Sequence, residues 1–119
     1  MMSVPTLGSV VLDCPDPLEL SKFYARLLDW PEPDAAADNS WSTIGNGGTL
    51  IEFQAVANYE APTWPEGERP QQFHLDLKVE DLPAAHERAV EIGAKLLDEQ
   101  KTFRVYADPA GHPFCLCAC

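Results

Sequence analysis

The sequence predicts an α+β fold: two pseudo-symmetric βαβββ modules forming a curved mixed sheet around a central cleft, with helices on the outer face. Three observations lead there. The first is an internal duplication. Ser9 and His74 sit at matching points of two similar stretches, as do Asp16 and Asp81, and both pairs lie 65 positions apart, a period too long and too sparsely repeated for a solenoid. The second is strict alternation in the second copy. Phe73, Leu75, Leu77 and Val79 fall on one side of an extended segment, and His74, Asp76 and Lys78 on the other. The third is that each copy's strand runs directly into a helix opening. Asp16 is followed by Pro17 and Glu19, and Asp81 by Pro83; an Asp cap, an early Pro and an acidic third position are helix-start chemistry.

Taken in order, residues 6–14 read as a strand. A helix follows from about 18 to 28, because Leu20, Phe23, Tyr24, Leu27 and Leu28 recur at helical spacing. The stretch 29–39, with Pro31 and Pro33, interrupts it. Trp41–Ile44 and 49–56 read as a hairpin around Gly45-Asn46-Gly47-Gly48, a run that accepts positive φ. Residues 58–71 carry Pro62, Pro65 and Pro70 and read as a linker or a lid. The second copy repeats the plan: a strand at 73–79, a helix at 82–92 with Ala85, Arg88, Ala89 and Ile92 on one side, and Gly93 as its stop. Strands at 94–97, 103–106 and 113–119 complete it, the last two joined by the turn Asp108-Pro109-Ala110-Gly111. One domain, 1–119, therefore comprises module 1 (about 6–57), the connecting 58–71, and module 2 (about 72–119).

The net charge of −11 argues against nucleic acid and anionic membrane as partners. No apolar run is long enough to span a bilayer, and no basic-then-apolar leader is visible, so a cytoplasmic protein is expected. In that compartment Cys14, Cys115, Cys117 and Cys119 are expected as reduced thiols. Alternation places the last three on one face of the closing strand.

Three motifs carry a resemblance to a known family: Val11-Leu12-Asp13-Cys14-Pro15-Asp16-Pro17 through Phe23-Tyr24 and Leu28-Asp29-Trp30; Gln72-Phe73-His74-Leu75-Asp76-Leu77; and Val105 through Phe114 with its Asp-Pro-x-Gly-His turn. The chain resembles the vicinal oxygen chelate superfamily and, within it, the small glyoxalase-like and bleomycin-resistance-like proteins. That superfamily holds isomerases, lyases, dioxygenases, thiol transferases and drug-binding proteins, so the resemblance implies a fold more firmly than a reaction. Its metal-using members place ligands on the first and last strands of each module. Those positions here are Ser9, Glu52, His74 and Cys115, the last-strand pair being 63 apart. His74 and Glu52 keep strong ligating groups. Ser9 and Cys115 do not match the pattern, so the implied centre is incomplete: either no cofactor, or a divalent metal on His74 and Glu52 with Cys115 as a soft third ligand.

The same residues allow metal-free readings. His74 hydrogen-bonds Glu52 across the cleft, or Glu52 acts as a base whose pKa is raised by drying, with His74 as its acid. Asp76 shares the His74 face and either orients a substrate or pairs with Lys78 or Arg104. Gln54 shares the parity of Glu52. Trp41, Trp64 and Tyr106 are candidate walls of a ligand site, alongside Ser9 and Cys115. Tyr24 and Trp30 are assigned to the core, and His86 and His112 to structural roles. The expectation is a protein that binds a small organic molecule and pairs as a homodimer. Two rivals stand beside it: a lyase, isomerase or dioxygenase working through Glu52 and His74, and a protein that sequesters a natural product or antibiotic.

Overall fold

A computed structural model describes residues 7–64 and 67–118. The chain separates into two units between Tyr59 and Glu60.

In the first unit, β1 (Ser9–Cys14) leads into α1 (Pro17–Leu28). Asp16 caps the helix by accepting from Glu19 N at 3.2 Å, and it also accepts from Asn39 Nδ2 at 2.8 Å. The helix stops at Asp29, whose φ of 57° is left-handed. β2 (Asp34–Ala35), β3 (Trp41–Ile44) and β4 (Leu50–Ala55) follow, in the sheet order β1-β4-β3-β2. β1 runs parallel to β4, and the other pairings are antiparallel. Leu12, Cys14, Ile44, Ile51 and Phe53 are buried, as are Leu20, Phe23 and Tyr24 of the helix. Tyr24 stacks on Phe53 at 5.9 Å between ring centroids. Ser21 and Ser42 share a buried 2.7 Å hydrogen bond between helix and sheet, so neither hydroxyl is left unpaired.

The second unit repeats this: β5 (Leu75–Lys78), α2 (Leu82–Glu91), β6 (Lys95–Glu99), β7 (Phe103–Ala107) and β8 (Pro113–Cys117), in the order β5-β8-β7-β6. β5 is parallel to β8, as β1 is to β4. β8 is buried along Pro113–Leu116, as expected of a strand flanked on both edges. Asp81 caps α2 through Ala84 N at 3.0 Å.

The βαβββ plan thus holds in both copies, with differences of detail. β2 lies inside the stretch read as an interruption; two residues give no periodicity to detect. β5 begins at Leu75, leaving Phe73 57% exposed before the strand rather than on the core. On α2 the inward side is Leu82, Ala85, His86 and Ala89, and Arg88 is exposed, because the helix is phased from Leu82. Of the stretch 58–71, the part from Glu60 onward belongs to the second unit, where Thr63 N donates to Arg69 O at 2.6 Å and Arg69 Nε to Ala61 O at 3.0 Å. Pro65 lies outside the described residues.

Candidate functional site

The strand registers make the two halves directly comparable. In the first, Val11 lies opposite Glu52, and Glu52 opposite Thr43. In the second, Asp76 lies opposite Cys115, and Cys115 opposite Val105. Trp41 opposes Gln54 as Phe103 opposes Cys117. Directly opposed residues share a sheet face, so each half presents one equivalent polar constellation, filled with different chemistry.

In the first half Glu52 is already provided for. Trp41 Nε1 donates to its Oε2 at 2.8 Å, and Thr43 Oγ1 to the same oxygen at 3.0 Å. Ser9 donates to the carboxylate as well, and these donors, Ser9 foremost, hold its pKa below the usual carboxylate value despite partial desolvation. The expected raised-pKa base is therefore corrected: hydrogen bonds to the charged form outweigh drying. Trp41 is turned to Glu52. Gln54 is exposed on the same strand.

In the second half the same positions line a pocket of about 320 Å³, bounded by Trp64, His74, Asp76, Phe103, Cys115 and Cys117. His74 Nε2 lies 3.2 Å from Asp76 Oδ1, and His74 Nδ1 lies 3.2 Å from Gln71 Oε1. Both ring nitrogens thus have partners inside their own half. Asp76 pairs with His74 rather than with Lys78 or Arg104; the Arg104 guanidinium lies 3.4 Å from Glu99 instead. Burial first, then the neighbouring Asp76 charge and its hydrogen bond, pushes the Cys115 thiol up to about 11. It is a protonated thiol at neutral pH and not a ready nucleophile. One ligand atom from each of His74, Asp76 and Cys115 lies within 4.8 Å of the others.

The scaffold explains these placements. Asp108 is 4% exposed, and its Oδ1 accepts from Ala110 N at 2.8 Å and His112 N at 3.0 Å. That turn aligns β7 with β8, which carry Phe103 and Cys115. Gly111 has φ of 91°, and a Cβ there would come within 2.6 Å of Ala61 Cβ, so the glycine admits the 61–64 segment. Trp64 then sets its ring edge-on to His74, 5.4 Å between centroids. A larger and more open depression of about 500 Å³ runs from Ala61 to Gly111 and shares Trp64 with this pocket.

Tyr106 is not a pocket wall. It is fully buried on the opposite side of β7, stacked on Phe114 and hydrogen-bonded at 2.8 Å to His86 Nδ1. Parity explains this: Tyr106 is one residue out of phase with Val105. Phe103 was not expected as a lining residue; Cys117, expected on the same strand face as Cys115, lines the pocket with it. The 63-residue offset that equates 52 with 115 also equates Gln54 with Cys117, whereas Trp41 and Phe103 are 62 apart and are matched only by the strand registers. Cys14 and Cys115 are free thiols, but Cys117 is disulfide-bonded, contrary to the expectation of reduced cysteines. Pairing depends on which thiols come within reach, which composition does not show. Cys119 lies outside the described residues.

A model of the glyoxalase-like domain matches residues 9–117. The chain belongs to this family, and through it to the vicinal oxygen chelate superfamily. Solved structures agree on the fold. A glyoxalase/bleomycin resistance protein/dioxygenase family enzyme from Burkholderia phytofirmans PsJN is 16% identical, with TM-score 0.73 over 94% of this chain and 97% of that one. A possible glyoxalase from Bacillus cereus is 12% identical, with TM-score 0.71 over 96% and 99%. The fosfomycin resistance protein FosX from Listeria monocytogenes, in complex with Mn(II) and a dihydroxypropylphosphonic acid, is 15% identical, with TM-score 0.71 over 97% and 90%. No curated protein is significantly similar in sequence. Among the described residues no helix is long and apolar enough to cross a membrane.

At the four positions that the family resemblance singles out, the chain carries Ser9, Glu52, His74 and Cys115. A hydroxyl stands at Ser9 and a thiol at Cys115, and Glu52 is committed to three donors of its own half.

Proposed function

We propose that this glyoxalase-like protein binds a small organic molecule in the pocket of its second half. The observation that carries this reading is the pocket itself. Two aromatic walls, Trp64 and Phe103, flank a polar cluster of His74, Asp76 and Cys115. Apolar walls with few convergent polar groups are the usual make-up of a ligand site. Its size suits a compact ligand, and the acidic Asp76 favours a hydroxyl or a cationic group over an anion. The four-position metal centre of the superfamily is degenerate on this reading. Glu52 serves to order Trp41 and Thr43.

The test is a ligand screen read by Trp fluorescence and thermal shift, followed by variants. Trp64→Ala and Phe103→Ala should weaken binding at least tenfold. Glu52→Gln should leave it within about twofold. Turnover of a bound ligand that disappears in Glu52→Gln while binding persists would replace this reading with the enzymatic one. Unaltered ligand recovered after long incubation supports sequestration.

A further inference from the structure

We propose that His74, Asp76 and Cys115 form a cation site lying wholly within the second half, suited to zinc and its borderline-soft neighbours. This deepens the reading of the same pocket but does not require an organic ligand.

The argument begins at the imidazole. Gln71 Oε1 accepts a hydrogen bond only if His74 Nδ1 carries the proton. In the neutral ring that leaves a bare lone pair on Nε2, which faces Asp76 Oδ1 at 3.2 Å. Two acceptors at that distance call for a positive centre between them. It is either a second proton or a metal ion. With Cys115 as a third donor, a metal ion is the proposed centre. Cys115 Sγ joins the cluster with all three ligand atoms inside 4.8 Å. In a tetrahedral zinc site with bonds of ~2.0–2.3 Å, ligand atoms stand roughly 3.3–3.8 Å apart. The nitrogen-to-oxygen distance of 3.2 Å is close to that range, and the sulfur lies within 4.8 Å of both.

Charge and softness agree with zinc. Neutral imidazole, carboxylate and thiolate together carry two negative charges, which a divalent cation cancels inside a partly buried pocket. Cys115 releases its proton to solvent on ligation. A nitrogen, an oxygen and a sulfur donor select zinc, cobalt or cadmium over magnesium or manganese. Gln71 supplies the outer hydrogen bond that fixes a metal-bound histidine. Three protein ligands leave one position for water or for an oxygen of a bound molecule. Val11 stands where the second half has Asp76, so the first half cannot build the same site.

Titration of the chelator-treated full chain with Co(II) tests this. One equivalent should produce visible d–d bands and a near-ultraviolet thiolate-to-cobalt charge-transfer band, and Zn(II) should displace them. Cys115→Ser should abolish the charge-transfer band. His74→Gln and Asp76→Asn should each weaken Co(II) at least tenfold, with circular dichroism confirming the fold of every variant. Glu52→Gln should leave the titration unchanged. Absence of a charge-transfer band at stoichiometric cobalt overturns the proposal, as does its persistence in Cys115→Ser. Loss of cobalt binding in Glu52→Gln overturns it as well, in favour of the four-position family centre. Trp64→Ala separates the two readings: it should cost organic-ligand affinity and spare cobalt.

Discussion

Glu52 shows how few atoms decide a residue's role. A carboxylate near the cleft of such a fold invites assignment as a base. Yet Trp41, Thr43 and Ser9 all donate to it, and its pKa is lowered from 4.5. The linkage follows in sign. A depressed folded pKa contributes stability that is present above the unfolded value of about 4.5 and is lost as pH falls through the folded value. Glu52→Gln should therefore reduce stability at pH 7 and shrink the loss of stability on acidification below about pH 4.5. Urea unfolding midpoints at pH 7 and pH 3 check this; an unchanged difference between the two would refute it. Cys115 moves the opposite way from the same position in the repeat, because burial and then the neighbouring Asp76 charge disfavour its thiolate.

At the scale of elements, the helix openings carry the argument. Asp16 holds Glu19 N and also the side chain of Asn39, whose Oδ1 in turn accepts from Leu18 N at 2.9 Å. One carboxylate thus fastens the start of α1 to the turn before β3. Among the described residues, the Asp81 side chain makes the cap bond on α2 and no second link like that to Asn39. Asp16→Ala should cost about 1–2 kcal/mol, the upper part of the usual cap range, and Asp81→Ala about 0.5–1 kcal/mol. Thermal denaturation of the pair measures the difference, and equal losses would show that the Asn39 link adds nothing. The helices and most strands were legible because their signals are local: caps, 3.6-residue spacing, alternation and Gly-rich turns. β2 was not, since two residues carry no period. Phe73 misled because alternation continues past the point where hydrogen bonding to β8 begins at Leu75.

For the molecule as a whole, among the described residues β1 and β2 are the terminal strands of one sheet and β5 and β6 of the other. Unpaired edges are commonly covered by a partner. Leu7, Val11 and Leu50 of the first half are also exposed apolar groups. A homodimer is accordingly proposed, with a sedimentation mass twice the 13.1 kDa of one chain. A monomer at micromolar concentration would remove that proposal and leave the pocket untouched, since every residue lining it comes from one half.

The sequence by itself determined the duplication and the βαβββ order, because these are written in spacing and residue type, and its motifs carried the resemblance to the family whose domain model matches residues 9–117. Tertiary structure decided what each position does. Whether a carboxylate is a base, a ligand or an acceptor already in use depends on which donors the neighbouring strands bring within 3 Å. For Glu52 these are Trp41 and Thr43, and for Asp76 the nearest charged partner is His74 at 3.2 Å. Tyr106 and Phe103 differ in fate by strand parity alone, one turned to the helix and one to the pocket. Register and parity are properties of paired strands, and one strand read alone does not contain them.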